Sequence, residues 1–207
     1  MSNDAAFVGD VHGNLAALVG LVDALAEHGR PHMVFLGDYI NKGEYSAEVI
    51  AEVIKYSSAE RATLLKGNHE VAVLNALASG SLTSFLKMGG AMTIRSYVGP
   101  RVGPDVLAEF VVRYPSDHLQ AIREMPETFE SADVIAQHGP FESPSPKFQV
   151  SAHMPVGDLP RINRGSAQID TGCGVESGRL TALLWPSLHI VQVDATGQRV
   201  NVGDRRP

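Results

Sequence analysis

The chain has 207 residues, 44% of them hydrophobic, and a net charge of -6, which is enough for one domain over residues 1–207 with a substantial core and leaves no basic block to grip nucleic acid nonspecifically. No apolar run is long enough to span a membrane, and Asp4 stands where a secretory signal would be basic. The lone Cys173 cannot close an internal disulfide, so a cytoplasmic protein without a membrane partner is expected.

Residues 5–9 form a short apolar run that ends at Asp10 and reads as a buried strand. Leu15, Leu18, Val19, Val22 and Leu25 then recur at helical spacing until Gly29 and Pro31 stop the helix. Residues 33–36 are a second strand ending at Gly37-Asp38, and Val49, Ile50, Val53 and Ile54 mark a second amphipathic helix. Residues 63–65 are a third strand before Gly67-Asn68-His69, and a helix runs from about Glu70 to Gly80. This alternation implies a parallel sheet with helices on its faces, and ligands of such sheets sit at the carboxyl ends of the strands.

Residues 81–124 read as largely helical, with loops at Gly89-Gly90 and over 99–103. The final third reads as strands at 132–136, 167–170, 179–184 and 188–193, separated by Gly, Pro and Ser. A second sheet packed on the first is expected, giving a layered α/β sandwich. The stretch 141–160, rich in Pro and Ser, reads as a loop bordering the site.

Five short segments carry the chemistry. They are Gly9-Asp10-Val11-His12-Gly13, Gly37-Asp38-Tyr39-Ile40-Asn41-Lys42-Gly43, Gly67-Asn68-His69-Glu70, Gln137-His138-Gly139 and Ala152-His153-Met154. A single Gly-Asp pair is a turn signal, and isolated histidines such as His28, His32, His118 and His189 read as ordinary surface or core residues. Asp, Asn and His at successive strand ends, mostly beside Gly, are a different matter. They form a mixed oxygen and nitrogen donor set that suits Mn, Fe or Zn better than an all-oxygen Mg or Ca cage. A carboxylate can bridge two ions, and paired ions about 3.5–4 Å apart are a recurrent phosphatase device.

In this order the segments resemble the PPP-type serine/threonine phosphatases within the calcineurin-like metallophosphoesterases. The bacterial and phage branch and the related diadenosine tetraphosphatases are the most similar. Phe85-Leu86-Lys87-Met88-Gly89-Gly90 and Thr93-Ile94-Arg95-Ser96-Tyr97 resemble that branch after its Asn-His-Glu segment. Ile169-Asp170-Thr171-Gly172-Cys173 and Gly178-Arg179-Leu180-Thr181-Ala182-Leu183 resemble its C-terminal strand pair.

The resemblance implies an α/β/β/α sandwich of two mixed sheets flanked by helices. It implies two divalent ions, manganese first and iron or zinc next. Asp10 and His12 would bind the first ion, Asp38 both, and Asn68, His138 and His153 the second. His69 would be the general acid, with Asn41 as its orienting partner. Lys42 and Asn68 would meet the substrate phosphate. In-line attack by metal-bound hydroxide without a phosphoenzyme follows, on a phosphorylated protein or a small phosphoester.

The chain departs from the family at several points. The usual Gly-Asp-Tyr-Val-Asp-Arg-Gly reads Gly-Asp-Tyr-Ile-Asn-Lys-Gly, so the Asp that steadies the general-acid His is the uncharged Asn41. Its amide oxygen is expected to accept from His69, and losing the charge should lower the His69 pKa. Lys42 keeps a charge but loses the bidentate fork of Arg. Few residues separate His138 from His153, and no Trp-x-Arg phosphate clamp lies between them; Arg95, Arg161 and Arg164 are candidate substitutes. A more open site follows. The leading reading is a serine/threonine phosphatase-like hydrolase. The alternatives are a nucleotide, dinucleotide or diester hydrolase, and a weakened metal-binding regulatory protein.

Overall fold

The computed structural model describes residues 4–202. Strand β1 (Ala5–Val8) is followed by α1 (Leu15–Ala26), β2 (His32–Phe35), α2 (Ser46–Ser58), β3 (Ala62–Leu64) and α3 (Asn68–Ser79). Four shorter helices come next: α4 (Thr83–Lys87), α5 (Gly90–Val98), α6 (Val106–Arg113) and α7 (Ser116–Glu124). The remainder is β4 (Thr128–Glu130), β5 (Val134–Gln137), β6 (Phe148–Ser151), β7 (Arg161–Ile162), β8 (Ser166–Gln168), β9 (Arg179–Trp185), β10 (His189–Asp194) and β11 (Arg199–Val200).

The strands form two mixed sheets, ordered β11-β10-β9-β1-β2-β3 and β4-β5-β6-β8-β7. Strands β1, β2 and β3 run parallel, while β9 joins β1 antiparallel. In the second sheet β5, β6 and β8 are parallel, with β4 and β7 antiparallel at the edges. This is the layered sandwich of two mixed sheets with helices that the resemblance implied.

Strand alternation sorts the core into two layers. Phe7, Val34, Leu36, Leu65 and Leu183 of the first sheet face Val134, Ala136, Val150 and Ala167 of the second. Their neighbours Ala6, Val8, Met33 and Phe35 face the other way, into the helices, with Leu18, Leu21, Val49 and Val53. Burial on both faces explains why β1 and β2 read as continuous apolar runs. Full burial of one such side chain, Phe7 for example, contributes about 1.5–3 kcal/mol.

Helix α1 begins where Asn14 Oδ1 accepts from Ala17 N at 3.0 Å, a side-chain cap on an otherwise unsatisfied donor. Helix α3 begins two residues earlier than the sequence implied, because the Glu70 carboxylate reaches back to Gly67 N at 3.0 Å and caps the first turn from within.

The flanking by helices is uneven. Helix α1 packs on β9, β10 and β11, and α2 on β3, all in the first sheet. The crossover from β5 to β6 runs over 138–147 without a helix, although both strands are parallel neighbours. Parallel strands are usually joined through a helix. Ile135, Gln137, Gln149 and Gln168 on the second sheet are correspondingly only half-buried.

One sequence expectation is corrected here. The stretch 141–160 is not all loop, since it contains β6, an inner strand of the second sheet. Phe148 and Val150 pack in the seam while Pro and Ser crowd both flanks, so local composition hid a strand that only its neighbours β5 and β8 reveal. No helix of the described residues is long and apolar enough to cross a membrane.

Candidate metal centre

The loops after β1, β2, β5 and β6 and the start of α3 after β3 converge at one end of the sandwich. They carry Asp10, His12, Asp38, Asn68, His69, His138 and His153 to one place. Asp38 lies at the centre: its Oδ2 is 3.8 Å from His12 Nε2, 3.7 Å from His69 Nε2 and 3.4 Å from His138 Nε2. His12, Asp38 and His69 form one group that could hold an ion, and Asp38, His138 and His153 form another. Asp10 adjoins both, with Oδ2 at 3.5 Å from His12 Nε2 and Oδ1 accepting from His153 N at 3.3 Å. Asn68 Oδ1 is 2.8 Å from His138 Nε2.

The backbone reaches this arrangement through rarely used conformations. His12, Asp38, Asn41, Lys42 and His153 all have positive φ, between 47° and 72°. Residues other than Gly held there cost of order 1–3 kcal/mol each and cluster at functional sites. Two loops also approach at very short range, and a Cβ on Gly67 would run into Asp38 Oδ1 and the Asp38 amide.

The donor atoms fit a cation. His12 Nδ1 lies 3.1 Å from Ile40 O, and His138 Nδ1 lies 3.0 Å from Leu36 O. A carbonyl only accepts, so each ring carries a proton on Nδ1 and turns Nε2, the nitrogen available to an ion, inward. His138 Nε2 thus faces Asn68 Oδ1 and also His153 Nδ1, at 3.0 Å. Asp10 Oδ2 is buried with no hydrogen-bond partner among the described residues. An unpaired buried carboxylate oxygen is costly unless a positive charge satisfies it. The mixed carboxylate, imidazole and amide set suits a transition-series divalent ion.

The chain's own charges shift these groups strongly. Burial alone would raise the Asp38 carboxyl, but His138, His69 and His12 outweigh it and bring it down to about 2. Burial alone would lower His138, yet the Asp38 and Asp10 carboxylates hold it up to about 9. His69 moves the other way: burial, with His12 and Lys42 adding to it and Asp38 opposing, lowers it to about 4. Asp170, which the sequence gives as structural, is raised to about 6 by burial and by Asp10.

Asn41 touches His69 as expected, but in the opposite sense. Its Nδ2 is 2.6 Å from His69 Nδ1, while its Oδ1 accepts from Thr93 Oγ1 at 2.7 Å. The oxygen expected to accept from His69 is held by Thr93 instead. Lys42 is exposed, and its Nζ donates to His12 Nε2 at 2.6 Å. Arg95, Arg161 and Arg164 are also exposed, and none of them contacts the cluster among the described residues.

Sequence reading passed over Glu70. Its fully buried carboxylate accepts from Asp38 N at 2.8 Å, Tyr39 N at 2.9 Å and Gly67 N at 3.0 Å, tying two ligand loops together. Burial and Asp38 raise it to about 7. Its signal was its place three residues into a helix, where a carboxylate reaches back to the cap. Thr93 and Ser46, also buried, each accept from Asn41 N; nothing in their local sequence marks them.

Comparison with known proteins agrees with this geometry. Residues 5–179 match the family described as calcineurin-like phosphoesterase. A zinc-dependent endopolyphosphatase of Saccharomyces cerevisiae is 31% identical over 142 residues, 67% of this chain and 41% of that protein. A PP2A-like serine/threonine-protein phosphatase of Candida albicans is 38% identical over 65 residues, 30% of this chain and 16% of that one. The chain therefore spans less than half the length of these curated relatives. A solved structure provisionally assigned as a diadenosine tetraphosphatase superposes with a TM-score of 0.68 at 19% identity, covering 92% of this chain and 93% of that one, which shows a shared fold. The match over most of the chain, together with PPP-type relatives, makes this protein a member of the calcineurin-like phosphoesterases.

Proposed function

We propose that the chain is a metal-dependent phosphoesterase that would hold two divalent ions through Asp38 and the side chains around it. The observation that carries this reading is the position of Asp38 Oδ2, common to both ligand groups. Asp10 and His12 would hold the first ion with Asp38; Asn68, His138 and His153 would hold the second with Asp38. Bound there, the pair would polarise phosphoryl oxygens and acidify a water. Manganese is the proposed metal on donor chemistry, with zinc next because the yeast relative is named as zinc-dependent.

The chain's own residues supply the rest. Asp38 Oδ1 accepts from His69 N at 3.1 Å, which sets the imidazole beside the bridging carboxylate. His69 would donate from Nε2 toward the phosphoester. Asn68 and Lys42 would meet the phosphate, Lys42 after its ammonium leaves His12, a swing its four-carbon stem permits. A cleft of about 350 Å³ lined in part by Gly67, Asn68, Gln137 and His138 borders the second ligand group.

Two substrate classes fit. A phosphorylated protein or other monoester agrees with the PP2A-like relative. A nucleotide or other phosphoanhydride is favoured by the uncharged Asn41 beside His69, and the yeast relative's name points the same way. The test is hydrolysis of p-nitrophenyl phosphate and bis-p-nitrophenyl phosphate by metal-stripped protein with Mn²⁺ added back. Metal-dependent turnover that disappears in Asp38→Asn is the expected result. Metal binding without turnover on either substrate would instead favour a regulatory, metal-holding protein.

A further inference from the structure

The Asn41 amide is oriented by its surroundings. Beside the contact to His69, Asn41 Nδ2 lies 3.1 Å from the Met88 carbonyl oxygen. A carbonyl oxygen cannot donate, so the amide atom facing Met88 must be the NH₂. The opposite amide atom, Oδ1, then faces Thr93 Oγ1 as an acceptor. Thr93 is free to donate there because its Oγ1 lone pairs already serve Asn41 N at 2.9 Å and lie 3.0 Å from the Ser46 hydroxyl. Asn41, Thr93 and Ser46 are all fully buried, so no water competes for these bonds. Turning the amide over would set oxygen against oxygen at Met88 and break a satisfied buried network.

The atom presented to His69 Nδ1 is therefore a donor. A ring nitrogen meeting an N–H must offer a lone pair, which leaves the ring proton on Nε2, the nitrogen turned toward Asp38. An aspartate at position 41 would impose the reverse, because a carboxylate accepts and would draw the proton to Nδ1.

We propose that Thr93 and the Met88 carbonyl lock Asn41 as a donor to His69, fixing His69 as the Nε2–H tautomer, so that it shares its proton with a leaving oxygen without surrendering it. In hydrolysis the water oxygen forms the new bond to phosphorus and releases a proton to solvent. The bond from phosphorus to the leaving oxygen breaks, and that oxygen keeps the electron pair. A ring whose Nδ1 accepts from Asn41 would become an imidazolate if it also gave up its Nε2 proton. The leaving oxygen must then depart as an anion, merely hydrogen-bonded to His69. Leaving groups that are stable anions, such as the phosphate of a phosphoanhydride or an acidic phenol, suit this site; the alkoxide of a serine or threonine does not.

Thr93 is a positioning residue in this scheme. The structural half stands on hydrogen-bond geometry alone, while the preference among leaving groups rests on the phosphoesterase reading. Long-range proton–nitrogen NMR of the imidazoles, in metal-free and Zn²⁺-loaded protein, reads the tautomer directly, with His69→Gln identifying the signals. The wild type should show a bare Nδ1 and a protonated Nε2 for His69, and Asn41→Asp should move the proton to Nδ1. Thr93→Val should bring the Nδ1–H form into the spectrum, and Thr93→Ser should restore the wild-type pattern. A proton on Nδ1 of His69 in the wild type would overturn the lock, and an unchanged spectrum in Thr93→Val would remove Thr93 from it.

The kinetic arm compares aryl phosphates of rising phenol pKa with an alkyl phosphate. The carboxylate of Asn41→Asp would let His69 carry protons on both ring nitrogens and give up the one on Nε2, so this variant should raise turnover of the alkyl ester relative to p-nitrophenyl phosphate on the order of 10²-fold, the usual size of a general-acid contribution. An equal change for every leaving group would overturn the leaving-group preference. Absence of turnover on all of them, with the NMR pattern as expected, would sink the phosphoesterase reading and leave the tautomer lock standing.

Discussion

Several residues that shape this site touch neither ion nor phosphate in the proposed scheme, and Glu70 shows how they act. One carboxylate accepts from three backbone N–H groups, two in the loop that carries Asp38 and one at the start of α3. It thereby offsets part of the strain of placing Asp38 at φ 55°. Glu70→Gln turns an NH₂ toward one or more of these donors. Stability should fall by about 2–4 kcal/mol, as expected when buried donors lose a charged acceptor, read as a lower urea midpoint with unchanged slope. The residues that converge on Asp38 were legible as candidates because Gly flanks most of them in the sequence. The direction of the Asn41 bond was not, because Met88, whose carbonyl decides it, is 47 residues away in the chain.

At the level of elements, α5, α6 and α7 share an aromatic cluster of Tyr97, Phe110, Tyr114 and His118. The Tyr97 hydroxyl lies 2.9 Å from His118 Nδ1, and burial lowers the His118 pKa below 6.5 although Asp117 opposes the shift. The folded protein therefore resists a proton that the unfolded chain accepts. This contribution is complete above pH 6.5 and is lost as the pH falls below it. Between pH 7 and pH 5 His118 contributes a fall in the thermal midpoint, so the midpoint of His118→Gln should shift downward less over this range than that of the wild type. Equal slopes would show that His118 is not among the groups responsible. The long amphipathic helices and the continuous apolar strands were legible, since period and burial agree in them. Strands β4, β7 and β11 have two or three residues each, too few for any period to show, and exist because a neighbouring strand pairs with them.

On the scale of the whole molecule, the proposed ligands come from both sheets: Asp10, His12, Asp38 and Asn68 follow strands of the first, and His138 and His153 follow β5 and β6 of the second. Ions held there would tie the layers together at one end. Metal present at a hundredfold excess over its dissociation constant adds about 2.7 kcal/mol. Chelation should accordingly lower the melting temperature by roughly 5–10 °C at about 2–4 °C per kcal/mol, and Mn²⁺ should restore it. An unchanged midpoint would mean that metal does not join the sheets. Strand order has a consequence for the newborn chain. Strand β1 is paired on one side by β2, made soon after it, and on the other by β9, with Ala5 opposite Trp185. At about 5–20 residues per second, the ribosome needs roughly ten to thirty seconds to reach β9. Through that interval the apolar strand Ala5–Val8 stands with one edge bare, a template for wrong partners. Aggregation during synthesis is thus the hazard this topology carries, and it is discharged only when β9 closes beside β1.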